Sequence, residues 1–361
     1  MTLQAQLMQQ LTAAEPEMIK IRRHLHAHPE ISFHEEQTAA YIKAFYRELG
    51  VSTTAYGDGY GFVVDIDSGQ PGPQLALRAD FDALAIQEDN HLSFKSQNAN
   101  VMHACGHDGH TAYLMVLAKT LLGLKNQLRG RVRIIHQPAE EVSPGGAKGM
   151  LAAGVLDGID NVIGLHVMST MPTGSIAYHL NATQTGRANF TVTFTGKGGH
   201  ASMPHLSNDA IVAGSYFVTA LQTVISRRID PFDTGSVTIG SFDGVGVTFG
   251  VQVALDYDDN YPVLMNDATL TQRVITSIQA AQIPEITKIF DCGPQDPSED
   301  FAYFAQAKPS TFIYAGCQTA PGETHPHHSP DFMMNEDCLL IAAKAVGTAA
   351  LDYLMNASSD H

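Results

Sequence analysis

The chain has 361 residues, 44% hydrophobic and 16% charged, without tryptophan, which allows two domains at roughly 150 residues each and excludes wholesale disorder. Its 21 basic and 37 acidic residues leave a formal charge of −16, a field that repels phosphate backbones and excludes nucleic acid as a partner. No run of about 18 uncharged apolar residues occurs and the first residues are polar, so neither a membrane span nor a secretory signal is expected. Four scattered cysteines (Cys105, Cys292, Cys317 and Cys338) form no disulfide framework and suit a reducing cytoplasm. The 17 histidines are clustered rather than spread, and clustering points toward metal.

In chain order, helical stretches are predicted at Glu36–Leu49, Thr111–Leu124 and Ala147–Val155. Strand-like apolar runs at Gly61–Ile66, Gln74–Leu77, Val132–Ile135 and Val162–Leu165 alternate with them. This alternation predicts an α/β fold whose mostly parallel sheet carries helices on both faces and binds ligands beyond the carboxyl ends of its strands. After Gly186 the pattern changes. A half-exposed strand at Ala188–Thr195, a glycine loop at Gly196–Gly199, a helix at Asp209–Arg228, strands at Ser236–Phe242 and Val251–Tyr257, and a helix near Thr269–Gln282 predict a small α+β domain with an antiparallel sheet. The expected organisation is a catalytic domain of residues 1–185 and 286–361, with 186–285 inserted as a satellite.

Three strand-like runs lead into chemically loaded residues: Arg78-Ala79-Asp80-Phe81-Asp82, His136-Gln137-Pro138-Ala139-Glu140-Glu141, and His166. Parallel strands in register would set these groups on one rim of the sheet. The densest segment is Met102-His103-Ala104-Cys105-Gly106-His107-Asp108-Gly109-His110. In an extended chain Cys105 and His107 point the same way and can share a metal, and the glycines permit tight backbone geometry. A histidine-rich solvated loop around a buried free cysteine is the bland reading of the same residues. Adjacent Glu140 and Glu141 would point in opposite directions, one ligating metal while the other faces substrate as a general base. The last donors lie in Thr324-His325-Pro326-His327-His328-Ser329-Pro330, whose bland reading is a surface turn. His24-Leu25-His26-Ala27-His28-Pro29-Glu30 reads as a structural turn before the helix at Glu36 and is not assigned to metal.

Taken in order, these segments, with Gly164-Leu165-His166-Val167, Gly198-Gly199-His200-Ala201-Ser202, Ser298-Glu299-Asp300-Phe301 and His328-Ser329-Pro330, resemble the amidohydrolase branch of the metal-dependent aminoacylase and carboxypeptidase family. That branch holds hippurate hydrolases, N-acyl-amino-acid deacetylases and plant auxin-conjugate hydrolases. The resemblance spans nearly the whole chain and implies a two-metal catalytic domain with an inserted satellite domain that dimerises. By position it implies Cys105, His107, Glu141, His166 and His328 as metal ligands and Glu140 as general base. It also implies that Asp80 orients a metal-site group and that His200 steadies the tetrahedral oxyanion, often in a partner subunit's site. One departure stands out: only Asp243–Gly250 separates the Ser236–Phe242 and Val251–Tyr257 strands, where the family has a further strand and most of a helix, roughly 20–30 residues. The absent stretch includes an asparagine-bearing turn that helps hold substrate in relatives.

The reading is therefore a cytoplasmic, homodimeric, metal-dependent amidohydrolase that cleaves N-acyl amino acids with two divalent ions, zinc or manganese, with cobalt and nickel also compatible with the ligands. Its small-molecule alternatives are dipeptides or other short peptides, as for a dipeptidase or carboxypeptidase. A cysteine hydrolase with Cys105 as nucleophile leaves Glu140, Glu141, His166 and His328 unexplained, and a non-catalytic metal-binding protein leaves Glu140 without a duty.

Overall fold

A 25-residue helix, α1 (Leu3–Ala27), opens the chain, its first turn capped by the Thr2 hydroxyl, which accepts the Ala5 N–H. The sequence shows no element here because Pro16 and many polar residues blur the helical period, yet Leu7, Leu11, Met18, Ile21 and Leu25 share one buried face. His24 and His26 therefore lie in the last turns of α1 rather than in a turn. The computed structural model describes residues 1–57, 59–230, 233–244 and 251–356.

Next come α2 (Glu36–Glu48), β1 (Thr54–Ala55), β2 (Phe62–Asp67), β3 (Gln74–Asp80) and α3 (His107–Leu124). They are followed by β4 (Arg131–Gln137), α4 (Gly146–Ala152), β5 (Asn161–Pro172), β6 (Ser175–Tyr178) and β7 (Asn181–Gln184). After β8 (Arg187–Thr195), α5 (Ala210–Arg228) and β9 (Gln252–Tyr261), the chain continues through β10 (Leu264–Asn266), α6 (Ala268–Ala280), β11 (Lys288–Asp291), α7 (Phe301–Ala307), β12 (Ser310–Gln318) and α8 (Asp337–Asn356).

The fold is mixed α/β around an eight-stranded sheet in the order β1-β2-β4-β3-β5-β12-β6-β11. The central run β4-β3-β5-β12 is parallel, and antiparallel pairings occur at β1-β2, β2-β4 and β12-β6. Strands β3, β4 and β5 are buried along nearly their whole length, which is why they read as continuous apolar runs rather than alternating ones. Helices α1, α3 and α8 pack on one another beside this sheet. Helix α8 is long and apolar enough to cross a membrane, but its residues are buried in the core.

The chain divides into two compact units, Met1–Arg187 with Asn260–His361, and Ala188–Asp259. The second unit is shorter than 186–285. Helix α6 buries Leu270, Val274, Ile275 and Ile278 in the core of the larger unit and packs on α8 and β12, so the return falls near Asn260. Within the smaller unit β8 pairs with β9, and the Asp209 carboxylate caps α5 by accepting the Val212 N–H. Residues 236–242, predicted as a strand, form none, because a β-branched run becomes a strand only where a ladder partner meets it. Residues 245–250, at the expected gap, lie outside the described residues.

Candidate metal centre and active site

Sheet register gathers the first groups. β3 and β4 pair so that Asp80 stands beside Gln137, and β3 and β5 pair so that Arg78 stands beside Gly164, two residues before His166. His166 lies inside β5 rather than at its end, opposite Tyr314 of β12. His136 is buried in β4 with its Nε2 2.8 Å from the Tyr46 hydroxyl, and among the described residues it joins no donor cluster.

Three residues with positive φ aim the donors. Gly106 caps α3 at φ 94°, and a Cβ there would meet Val167 Cγ2 at 2.5 Å, so only glycine fits between Cys105 and His107. Ala139 has φ 54° and His328 φ 61°, backbone strain of the kind that collects at functional sites. The Ala139 N–H donates to Glu35 Oε1 at 2.8 Å, and the His328 N–H donates to the Ala104 carbonyl at 2.8 Å. The bend at Ala139 removes the extended geometry expected for Glu140 and Glu141, so strand alternation does not separate them. Instead one ligand atom each from Glu140, Glu141 and His107 lie within 4.8 Å of one another.

The same spacing holds for Cys105, His107 and His166, and for Cys105, Glu141 and His328. Individual separations are 3.4 Å from Cys105 Sγ to His166 Nε2, 3.7 Å from His107 Nε2 to Glu141 Oε1, and 3.3 Å from His328 Nε2 to Glu141 Oε2. His107 Nε2 and Glu141 Oε1 are buried without hydrogen-bond partners among the described residues. Orphaned nitrogen and oxygen atoms converging on a thiol fit divalent ions such as zinc, which take sulfur, imidazole and carboxylate together.

Electrostatics point the same way. Burial pushes the Cys105 thiol well above its ordinary range, and Glu141 and Glu140 add to it. Burial holds His166 well below the usual imidazole range, with His110 and His327 contributing. Burial opposes charge on His107, but Asp80 and Asp82 outweigh it and raise the ring to about 10. For Asp80 burial is likewise outweighed, by Arg78, His107 and His110, which hold it well below the carboxylate range. Glu140 is pushed well above that range by burial and then by Glu299, Glu141 and Asp300. A buried group this rich in carboxylates gains from additional positive charge.

The residue hydrogen-bonded to His107 is Asp82, with Oδ1 3.1 Å from Nδ1. Asp80, read from the sequence as the orienting carboxylate, engages His110 Nδ1 at 2.6 Å and Arg78 Nη1 at 2.7 Å, with its Oδ2 3.8 Å from His107 Nε2. Asp82 could have been noticed from its position two residues after Asp80. His110 Nε2 accepts the Val167 N–H at 3.0 Å and His327 Nε2 accepts the Ser169 N–H at 3.1 Å, so both rings serve the scaffold. His26 is buried between Asp108, at 2.9 Å, and Glu88, at 3.2 Å. His200 belongs to the second unit, where its exposed Nδ1 accepts from the Ser202 N–H at 3.2 Å and lies 2.7 Å from the Ser202 hydroxyl.

Residues 76–352 match peptidase family M20/M25/M40. The chain belongs to this family. It is a hydrolase of amide bonds, of the metal-dependent amidohydrolase kind. A protein from methicillin-resistant Staphylococcus aureus has a crystal structure that matches with TM-score 0.90 and 51% identity, covering 98% of this chain and 100% of that one. YxeP of Bacillus subtilis, a dinuclear metal-binding peptidase of the M20 family, matches with TM-score 0.76 and 28% identity over 95% of this chain and 99% of its own. The N-acetyl-L-cysteine deacetylase of Bacillus subtilis (strain 168) is 32% identical over 371 residues, 92% of this chain and 87% of the relative.

Proposed function

We propose that this M20 family member removes the acyl group from N-acylated amino acids, using Cys105, His107, Glu141, His166 and His328 to hold two divalent ions, with zinc or manganese the ions of choice. The observation that carries the reading is Glu140, a carboxylate within 4.8 Å of the His107 and Glu141 donor atoms that has no ligand duty in this set. Bound divalent ions polarise an amide carbonyl and make water more acidic. Glu140 takes the proton of the attacking water and returns it to the leaving amine nitrogen. The Ser202 N–H donates to His200 Nδ1, so the ring proton belongs on Nε2, and Nε2–H is a donor suited to an oxyanion. A homodimer in which the satellite domain supplies His200 in trans completes the proposal. The choice of an N-acyl amino acid is supported by the deacetylase relative. Cys105 as a nucleophile is disfavoured, since a nucleophilic cysteine needs its thiol pulled down and this one is pushed up.

The test is a panel of N-acetyl amino acids, N-benzoyl amino acids and dipeptides, assayed with zinc, manganese, cobalt or nickel added to the purified protein. Hydrolysis confined to the acylated amino acids supports the proposal. Faster turnover of dipeptides replaces it with a peptidase.

A further inference from the structure

Arg78, Glu299 and Asp300 have no role in the proposed mechanism, although all three are buried, and Arg78 and Asp300 are bonded to the segment that carries the two glutamates. From its geometry we infer that Asp300 is a positioning residue that seats Glu140, an inference that rests on Glu140 being the general base. The Asp300 carboxylate grips the turn on both sides. Gln137 Nε2, just before it, donates to Oδ1 and Oδ2 at 2.7 and 2.8 Å, and the Ala147 N–H, just after it, donates to Oδ2 at 3.0 Å. Between these anchors the Asp300 N–H approaches the Glu140 carboxylate itself, 3.4 Å from Oε1.

Asp300 is in turn held from behind. Arg78 Nη2 donates to Asp300 Oδ1 at 3.0 Å and to Glu299 Oε1 at 2.9 Å, while its Nη1 and Nε donate to Asp80 and Gln137. The fit is close: at Gly145, φ 79°, a Cβ would come within 2.5 Å of Asp300 Oδ2. Arg78 and Asp300 are 2% and 0% exposed, so water cannot replace a bond that is lost, and the network holds one arrangement. The clamp joins residues about as far apart in sequence as a whole domain, since Glu140 and Asp300 are separated by 160 positions.

The test is a double-mutant cycle on the metal-loaded enzyme with an N-acetyl amino acid as substrate, using D300N, E140Q and the pair. An asparagine keeps the volume, and its one oxygen can take the place of Oδ2 toward Gln137 and Ala147, but its amide nitrogen then faces the Arg78 Nη2 donor and the bond that holds residue 300 from behind is lost. D300N is expected to keep its metal content and its KM within about twofold and to lose about 10- to 100-fold in kcat, the scale of a misplaced catalytic group. In the E140Q background D300N should then cost nothing further, because its effect passes through Glu140. If D300N does not fold, as judged by circular dichroism and thermal unfolding, Gly145→Ala, which drives a methyl group against the same carboxylate, takes its place under the same criteria. An unchanged kcat, or an equal loss in both backgrounds, overturns the inference while leaving the base assignment standing. Wild-type turnover in E140Q alone overturns the base assignment and this inference with it.

Discussion

Asp82 and His107 are joined through Nδ1, at 3.1 Å, which leaves His107 Nε2 free to face the donor cluster. The other Asp82 oxygen accepts the Ser32 hydroxyl at 2.7 Å and the Glu141 N–H at 3.0 Å, so one carboxylate sets both an imidazole and a glutamate of the cluster. Loss of a carboxylate behind a ligating histidine typically costs 10- to 100-fold in metal affinity. Asp82→Ala is expected to weaken metal binding by about that factor while the chain stays folded, measured by competition with a chromophoric chelator. Unchanged affinity would show that His107 needs no such support.

Metal removal should abolish activity. After exhaustive chelation the protein is expected to hydrolyse no N-acetyl amino acid, and zinc or manganese should restore turnover. Cys105→Ser should need more metal for the same recovery, because a hydroxyl is a poor substitute for a thiolate. Full turnover in a preparation shown by elemental analysis to be metal-free removes the mechanism.

Metal binding should also depend on pH with a definite sign. In the metal-free site the Cys105 thiol is pushed up and the His107 ring is raised to about 10, so both hold protons at neutral pH. Ligation requires both to release them. Loading the apoprotein in a pH-stat is expected to liberate at least about two protons per chain, and affinity should fall as the pH is lowered. Zero proton release at neutral pH would mean that these two groups do not ligate.

The paired glutamates should fail differently. Glu140→Gln is expected to keep its metal and lose at least about 100-fold in turnover, the scale of a missing general base. Glu141→Gln should lose metal first and activity as a consequence. Identical metal content and identical residual rates in the two variants contradict the division of roles.

His200→Ala should retain metal and fold but lose about 10²–10³-fold in turnover, as for a missing oxyanion donor. Mixing it with Glu140→Gln under subunit exchange tests a contribution in trans. If the donor crosses between subunits, random pairing leaves one good site in half the dimers, and activity should recover toward about a quarter of wild type. Proven exchange without recovery places His200 in its own chain's site or outside the chemistry.

Taken alone, the order of residues determined what is local. The apolar runs of β3, β4 and β5 marked a buried parallel sheet, and the Cys105-Gly106-His107 and Glu140-Glu141 spacings marked a donor-rich rim, since each depends on backbone period and side-chain chemistry within a few positions. Tertiary structure alone decided what depends on register and on pairing between distant segments. Asp80 and Asp82 are alike in type and two residues apart, yet the fold sends one to His110 and Arg78 and the other to His107. Packing on α8 and β12 assigned α6 to the larger unit, and the bend at Ala139 brought together two glutamates that an extended chain would have separated. A hydrogen bond between Asp300 and the turn at Glu140 leaves no periodic trace in either segment, because each end makes its own local pattern and only the folded chain brings the two together.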